Sequence, residues 1–95
     1  MKFEWDEKKH LANKKKHGIN FDHAVNAFFD PLRQEYYDDG HSDLDEERYI
    51  LLGYAINCVL LISFTEPEPD TFRIISARRA NKIEEEELYN GNRSL

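Results

Sequence analysis

The sequence predicts an α+β fold: one antiparallel sheet, arranged as a meander, with helices N-terminal and C-terminal to it packed against its surface. Three observations carry this. Apolar residues recur at helical spacing in the first third, β-branched and aromatic runs broken by turn residues fill the middle, and a polar stretch of helical composition closes the chain. With 95 residues, 40% of them hydrophobic, the chain suits a single domain over 1–95 built on one core.

Lys2-Phe3-Glu4-Trp5 alternates polar and apolar residues as a short strand does, and Asp6 is an N-cap for a helix reaching about Lys16, stopped by His17-Gly18. That helix carries Lys8, Lys9, Lys14, Lys15 and Lys16, with Leu11 and Ala12 as a narrow apolar stripe toward the core. Asp22 is expected to cap a second helix whose core face is Ala24, Val25, Phe28 and Phe29 and which ends at Asp30-Pro31, because a residue before proline avoids the α region. Gln34 to Tyr37 reads as an edge strand, followed by an acidic loop from Asp38 to Glu46. Arg48 to Tyr54 and Asn57 to Phe64 are apolar on both faces and belong at the centre of the sheet, joined tightly around Ala55-Ile56. A rigid turn is expected over Glu66 to Asp70, then a strand from Thr71 to Ala77 with Phe72 and Ile74 on one face and Arg73 and Ile75 on the other. A helix from Arg78 to Tyr89 follows, with Ile83, Leu88 and Tyr89 as its contacts.

The net charge of −6 argues against a generic nucleic-acid binder, since phosphate is repelled by an acidic surface. The charge is segregated, however. Residues 1–20 carry six Lys against three acids, residues 21–70 two Arg against twelve acids, and residues 71–95 five basic against four acidic residues. Such a division presents a basic face to an anionic ligand and an acidic face to a cationic partner. The longest apolar run, Cys58 to Phe64, is too short to span a bilayer, and the first residues lack the apolar run of a signal peptide, so a cytoplasmic location and no membrane partner are expected. Cys58 is the one cysteine, reads as a core thiol, and has no partner for an internal disulfide.

Phe3-Glu4-Trp5-Asp6-Glu7-Lys8, Asn13, Lys16-His17-Gly18-Ile19, Phe21 and Phe29-Asp30-Pro31 resemble the opening signature of the BrnT toxin family. Glu47-Arg48-Tyr49, Gly53, Phe64-Thr65-Glu66, Arg73 through Arg78, Ala80 and a closing Glu/Tyr helix resemble the same family in the same order, so the likeness spans nearly the whole chain. The resemblance implies a RelE-like fold and a cytoplasmic ribonuclease toxin of a type II toxin–antitoxin system, which inhibits translation when free. It also implies a BrnA-like antitoxin that neutralises the toxin in a hetero-oligomer and alone makes the contact with DNA.

Cleaving RNA without a metal needs a base for the 2′-hydroxyl, an acid for the leaving 5′-oxygen and cations for the phosphorane. Candidates gather at two places: His41, Glu47 and Arg48 around the acidic loop, and Arg73 and Arg78 along the last strand and helix. His41 titrates near neutrality when unperturbed, against the plain alternative of an idle loop histidine. Glu47 is a base or half of an exposed ion pair. Arg48 and Arg73 interrupt apolar strands, where a guanidinium needs an anion, either phosphate or an internal carboxylate. Lys8, Lys14, Lys15, Arg79 and Lys82 are the expected RNA-binding cations, or else a solvated surface. Trp5 is a stacking platform or core. No cofactor is expected, and His10, His17, His23 and His41 lack metal-ligand spacing. The acidic loop, with Asp43, Asp45 and Glu46, and the Glu-rich last helix are the expected surface for a basic segment of the antitoxin. A second reading makes the chain a non-catalytic module whose acidic loop engages a basic protein.

Overall fold

The computed structural model describes residues 1–91. It forms β1 (Lys2–Glu4), α1 (Glu7–His17), α2 (Phe21–Ala24) continued by a 3₁₀ segment (Val25–Phe29), β2 (Gln34–Tyr37), β3 (Tyr49–Ala55), β4 (Cys58–Glu68), β5 (Thr71–Arg79), and α3 (Lys82–Glu84), which runs on as a π-helical turn (Glu85–Tyr89). The five strands make one sheet in the order β1-β5-β4-β3-β2. β2 to β5 are the expected antiparallel meander, and β1 adds to it in parallel beside β5, pairing Lys2, Phe3 and Glu4 with Thr71, Phe72 and Arg73.

Each face of the sheet follows from alternation along the strands. One face gathers Leu51, Ala55, Leu60, Ile62, Phe64, Ile74 and Ala77 against Phe21, Ala24, Ala27 and Phe28 of the α2 segment, with Phe3 and Phe72 at its margin. Gly53 permits this contact, since the carbonyl oxygen of Ala27 lies 2.4 Å from where a Cβ would sit. Among the described residues the opposite face is covered at one end only, where Leu52, Val59 and Leu61 hold Tyr89 and Leu88 of the last helix. Tyr36 Oη donates to the Leu88 carbonyl at 2.6 Å, and Tyr89 donates to the Asp30 carboxylate, which also accepts Tyr54 N–H at 2.7 Å. The other end of this face stays open.

The caps explain where α1 begins and ends. Asp6 accepts the N–H groups of Lys8 and Lys9, and Gly18 takes the left-handed conformation (φ 73°) that stops the helix. The helix docks differently from the expectation. Leu11 is 58% exposed and Ala12 is exposed, whereas His10 and Asn13 are buried. The reason is the shortness of β1, which leaves the edge of β5 unpaired beyond Arg73. Asn13 fills the gap: its Oδ1 accepts Ala77 N–H at 3.1 Å and its Nδ2 donates to the Ala77 carbonyl at 2.9 Å and the Ile19 carbonyl at 3.2 Å. His10 stacks on Phe21 at 5.1 Å, with Nε2 3.0 Å from Asn20 Oδ1 and Nδ1 3.2 Å from Glu7 Oε1.

Other boundaries are corrected as well. Asn20, not Asp22, caps α2, because its side chain accepts Asp22 N–H. Phe29 is exposed at 60%, and only Phe28 of that pair enters the core. β4 runs through Pro67 to Glu68, since the ladder is irregular between Thr65 and Glu68 and the missing proline N–H costs no pairing there. The turn is thereby confined to Pro69-Asp70. Arg78 and Arg79 lie in β5, paired with Leu61 and Leu60, and a capping box of Asn81 and Glu84 starts the helix only at Lys82. Ile83 is exposed.

Candidate active site

The open end of the second face is where charged residues meet. β5 carries one extra residue, Ile75, between the pairs Ser63–Ser76 and Phe64–Ile74. This bulge reverses the alternation, so Arg73 and Arg78, five positions apart, project from the same face as Ser63, Thr65 and Leu61. Arg48 immediately precedes β3, and its carbonyl accepts Asp38 N–H at 2.8 Å, which extends the β2–β3 ladder by one step and puts its side chain on that face too.

Parallel pairing sets Glu4 beside Arg73, and both Nε and Nη2 of the guanidinium lie 2.7 Å from Glu4 Oε2. Two hollows flank this pair. The larger, about 710 Å³, lies between the loop before β3 and the β4–β5 turn and is lined by Leu44, Glu46, Glu47, Tyr49 and Thr65 among others. The smaller, about 400 Å³, is lined by Glu4, Trp5, Asp6, Lys9 and Ile75. Arg73 and Glu46 border both. The loop is folded by its own polar groups: Asp43 Oδ1 accepts the N–H groups of Asp45 and Glu46 at 2.8 and 2.7 Å, and Ser42 Oγ accepts Arg48 N–H at 2.8 Å while donating to the Asp38 carbonyl at 2.7 Å. Glu46 is thus turned inward, where its Oε1 holds Arg48 Nε at 2.9 Å.

A family model for the ribonuclease toxin BrnT of type II toxin–antitoxin systems matches residues 5–84. The chain belongs to the BrnT family. A crystal structure of the Brucella abortus ribonuclease toxin BrnT shares the fold, with a TM-score of 0.64 and 24% identity over 86% of this chain and 99% of that one. No curated protein sequence matches.

In this BrnT-family chain the residues singled out from sequence fall into three groups. Arg73 and Glu47 line the larger hollow, and Arg48 stands next to it on Glu46. Glu47 Oε2 accepts the hydroxyl of Tyr49 at 3.3 Å, and the Tyr49 phenol is raised above its ordinary range, first by burial of the ring and then by the Glu47 charge. Arg78 is engaged elsewhere. Four residue steps along β4 separate its partner Leu61 from Thr65, the partner of Arg73, which is about 13 Å of strand. There it grips Glu84 with both terminal nitrogens at 2.8 Å; this bonding raises the guanidinium and holds the Glu84 carboxyl below its usual range. His41 is exposed on a 3₁₀ turn with Nδ1 3.0 Å from Asp38 and borders neither hollow. Lys8, Lys14, Lys15, Arg79 and Lys82 are exposed and border neither hollow, while Lys9 borders the smaller one.

Glu4 and Glu46 were not among the residues expected at the catalytic site, and Lys9 was expected only as one of the lysines of the basic helix. Glu4 and Trp5 open the block that carries the family likeness, a signal in the sequence, but nothing local to Glu4 points to a partner 69 residues away. Trp5 is half-buried between Phe21 and His10, at 5.8 and 5.7 Å, and also borders the smaller hollow. Among the described residues no three His, Cys, Asp or Glu side chains are grouped so as to hold a metal ion, and no helix is long and apolar enough to cross a membrane.

Proposed function

We propose that this BrnT-family chain, on a fold we read as RelE-like, is a cytoplasmic endoribonuclease that cleaves RNA without a metal and so blocks translation. A BrnA-like, DNA-binding antitoxin neutralises it in a hetero-oligomer. The observation that carries the site is Arg73, a guanidinium at the border of two hollows with carboxylates on either side. In the smaller hollow a scissile phosphate that displaces Glu4 from Arg73 gains a fork of N–H donors for the two oxygens that become most negative in the phosphorane. Glu46 then stands ready to take the 2′-hydroxyl proton. The 2′-oxygen bonds to phosphorus, the bond to the 5′-oxygen breaks, and Lys9 offers its ammonium to that leaving oxygen, giving a 2′,3′-cyclic phosphate and a 5′-hydroxyl. The exposed Lys8, Lys14 and Lys15 of α1 and Arg79 and Lys82 beyond the sheet steer the strand inward. His41 and Glu47, on either side of Glu46 in sequence, and Arg48, which holds it, are the remaining acid–base and anchoring groups to test. Arg78 is given a structural role through Glu84.

The test is cleavage of a labelled RNA by the purified chain, freed of antitoxin, in EDTA. Arg73→Ala is expected to lower the rate by about 100-fold or more, the scale for losing one oxyanion donor. Glu46→Gln is expected to lower it comparably, and Arg78→Ala to leave it within about threefold. Intact RNA in EDTA with the parent chain, or equal cleavage by Arg73→Ala, would overturn the proposal.

A further inference from the structure

The larger hollow is poorly suited to RNA. Asp45, Glu46, Glu47, Glu66 and Glu68 line it, and among the described residues its one cation, Arg73, is already paired with Glu4. A phosphate entering there meets five carboxylates. A second, independent observation points to what does fit. Thr65, 5% exposed, also lines this hollow, and its Oγ1 is buried without a hydrogen-bond partner among the described residues. Buried hydroxyls are ordinarily paired, and leaving one unpaired costs stability. A third feature is the rim, where Leu44 stands fully exposed across from Pro67 and Pro69.

We propose that this hollow is the seat of an arginine or lysine side chain from a cationic, partly apolar segment of the cognate antitoxin. The incoming N–H groups satisfy Thr65 Oγ1 and the carboxylates together, and an apolar neighbour in the segment covers Leu44. Because Glu46 and Arg73 border both hollows, an occupant here ties up Glu46 and overhangs Arg73, so antitoxin docking and RNA cleavage exclude one another through shared residues. The inference rests on the reading of Arg73 and Glu46 as the cleavage site and adds the place and chemistry of its inhibitor. Attraction of this kind acts chiefly on the association rate and fades with salt.

The experiment uses the whole chain and the antitoxin encoded beside it, with binding kinetics at low and high salt and RNA cleavage measured on the same preparations. E66Q/E68Q leaves Arg73 and Glu46 in place, and a glutamine at 66 still accepts the Asp70 N–H that Glu66 holds at 2.8 Å. It should weaken antitoxin binding about tenfold at low salt, mostly in the association rate, with little difference at high salt, while free-chain cleavage persists. Thr65→Val supplies a second readout of opposite sign. It should raise the melting temperature of the free chain, by removing an unpaired buried hydroxyl, yet weaken the antitoxin complex severalfold. Unchanged antitoxin binding by both variants with parental cleavage intact overturns the seat and leaves the ribonuclease. An acid-dependent complex without parental cleavage overturns the ribonuclease and leaves the seat. Weaker RNA binding by E66Q/E68Q with unchanged antitoxin binding assigns the hollow to RNA and overturns the inference.

Discussion

Replacing Asn13 with alanine tests whether α1 is held to the sheet by hydrogen bonds in place of apolar contact. The side chain is 7% exposed and makes three bonds to main-chain groups, two of them closing Ala77 into a ladder-like pair. Alanine leaves the Ala77 N–H and two carbonyls without partners under the helix. A buried donor stranded in this way costs about 1–3 kcal/mol, carbonyls with a second lone pair rather less, so a total of about 3 kcal/mol is expected. For a chain of this size that corresponds to a melting temperature lower by about 12–24 °C. Leu11→Ala is the control: exposed as it is, its removal should cost no more than about 0.5 kcal/mol. Asn13→Asp keeps the acceptor for Ala77 N–H but sets a carboxylate against two carbonyls, and should be no better than alanine. The assay is thermal and urea unfolding followed by circular dichroism. Melting of Asn13→Ala within about 2 °C of the parent, or a larger loss from Leu11→Ala, would refute the reasoning.

Gly53→Ala places a methyl group 2.4 Å from the Ala27 carbonyl oxygen and 3.0 Å from its Cβ, so the α2 segment must lift from the sheet; a loss of about 3 kcal/mol in urea unfolding, or failure to accumulate as folded protein, is expected. Glu84, its carboxyl held low by Arg78 and by the Asn81 N–H, contributes stability that is complete above the ordinary glutamate range and is lost as pH falls through its lowered value. Unfolding curves of the parent and Glu84→Gln should therefore differ by about 1 kcal/mol at neutral pH and converge as the pH falls through the lowered Glu84 range, and a gap that widened on acidification would contradict the pairing.

The meander was legible because each of its strands announces itself. Tyr49 to Ala55 and Cys58 to Phe64 are mostly apolar runs, as central strands are, and the turn between them falls on Ile56-Asn57, both at positive φ. The α1 boundaries were equally plain, from Asp6 to Gly18. What could not be read was α1's docking surface, because the residues that touch the sheet are polar and answer a vacancy on β5 created by a strand elsewhere in the chain. The same holds for the site. Arg73, Arg48 and Glu47 stood out as charges beside apolar strands, but their grouping depends on a one-residue bulge at Ile75 that no local pattern marks. Strict alternation would have set Arg78 on the face opposite Arg73. Glu46 was hidden among neighbours of like charge, and only the turn made by Asp43 distinguishes it.

The side-by-side placement of the first and last strands also has a temporal meaning. A growing polypeptide emerges N-terminus first, so the basic helix and its cap can form early, while β1 waits for a neighbour that is not yet made. Glu4 acquires its guanidinium only when Arg73 arrives, and a chain halted anywhere before Thr71 carries the lysines of α1 without the Glu4–Arg73 pair. On the proposed role of Arg73, an unfinished copy lacks the centre that would cut RNA.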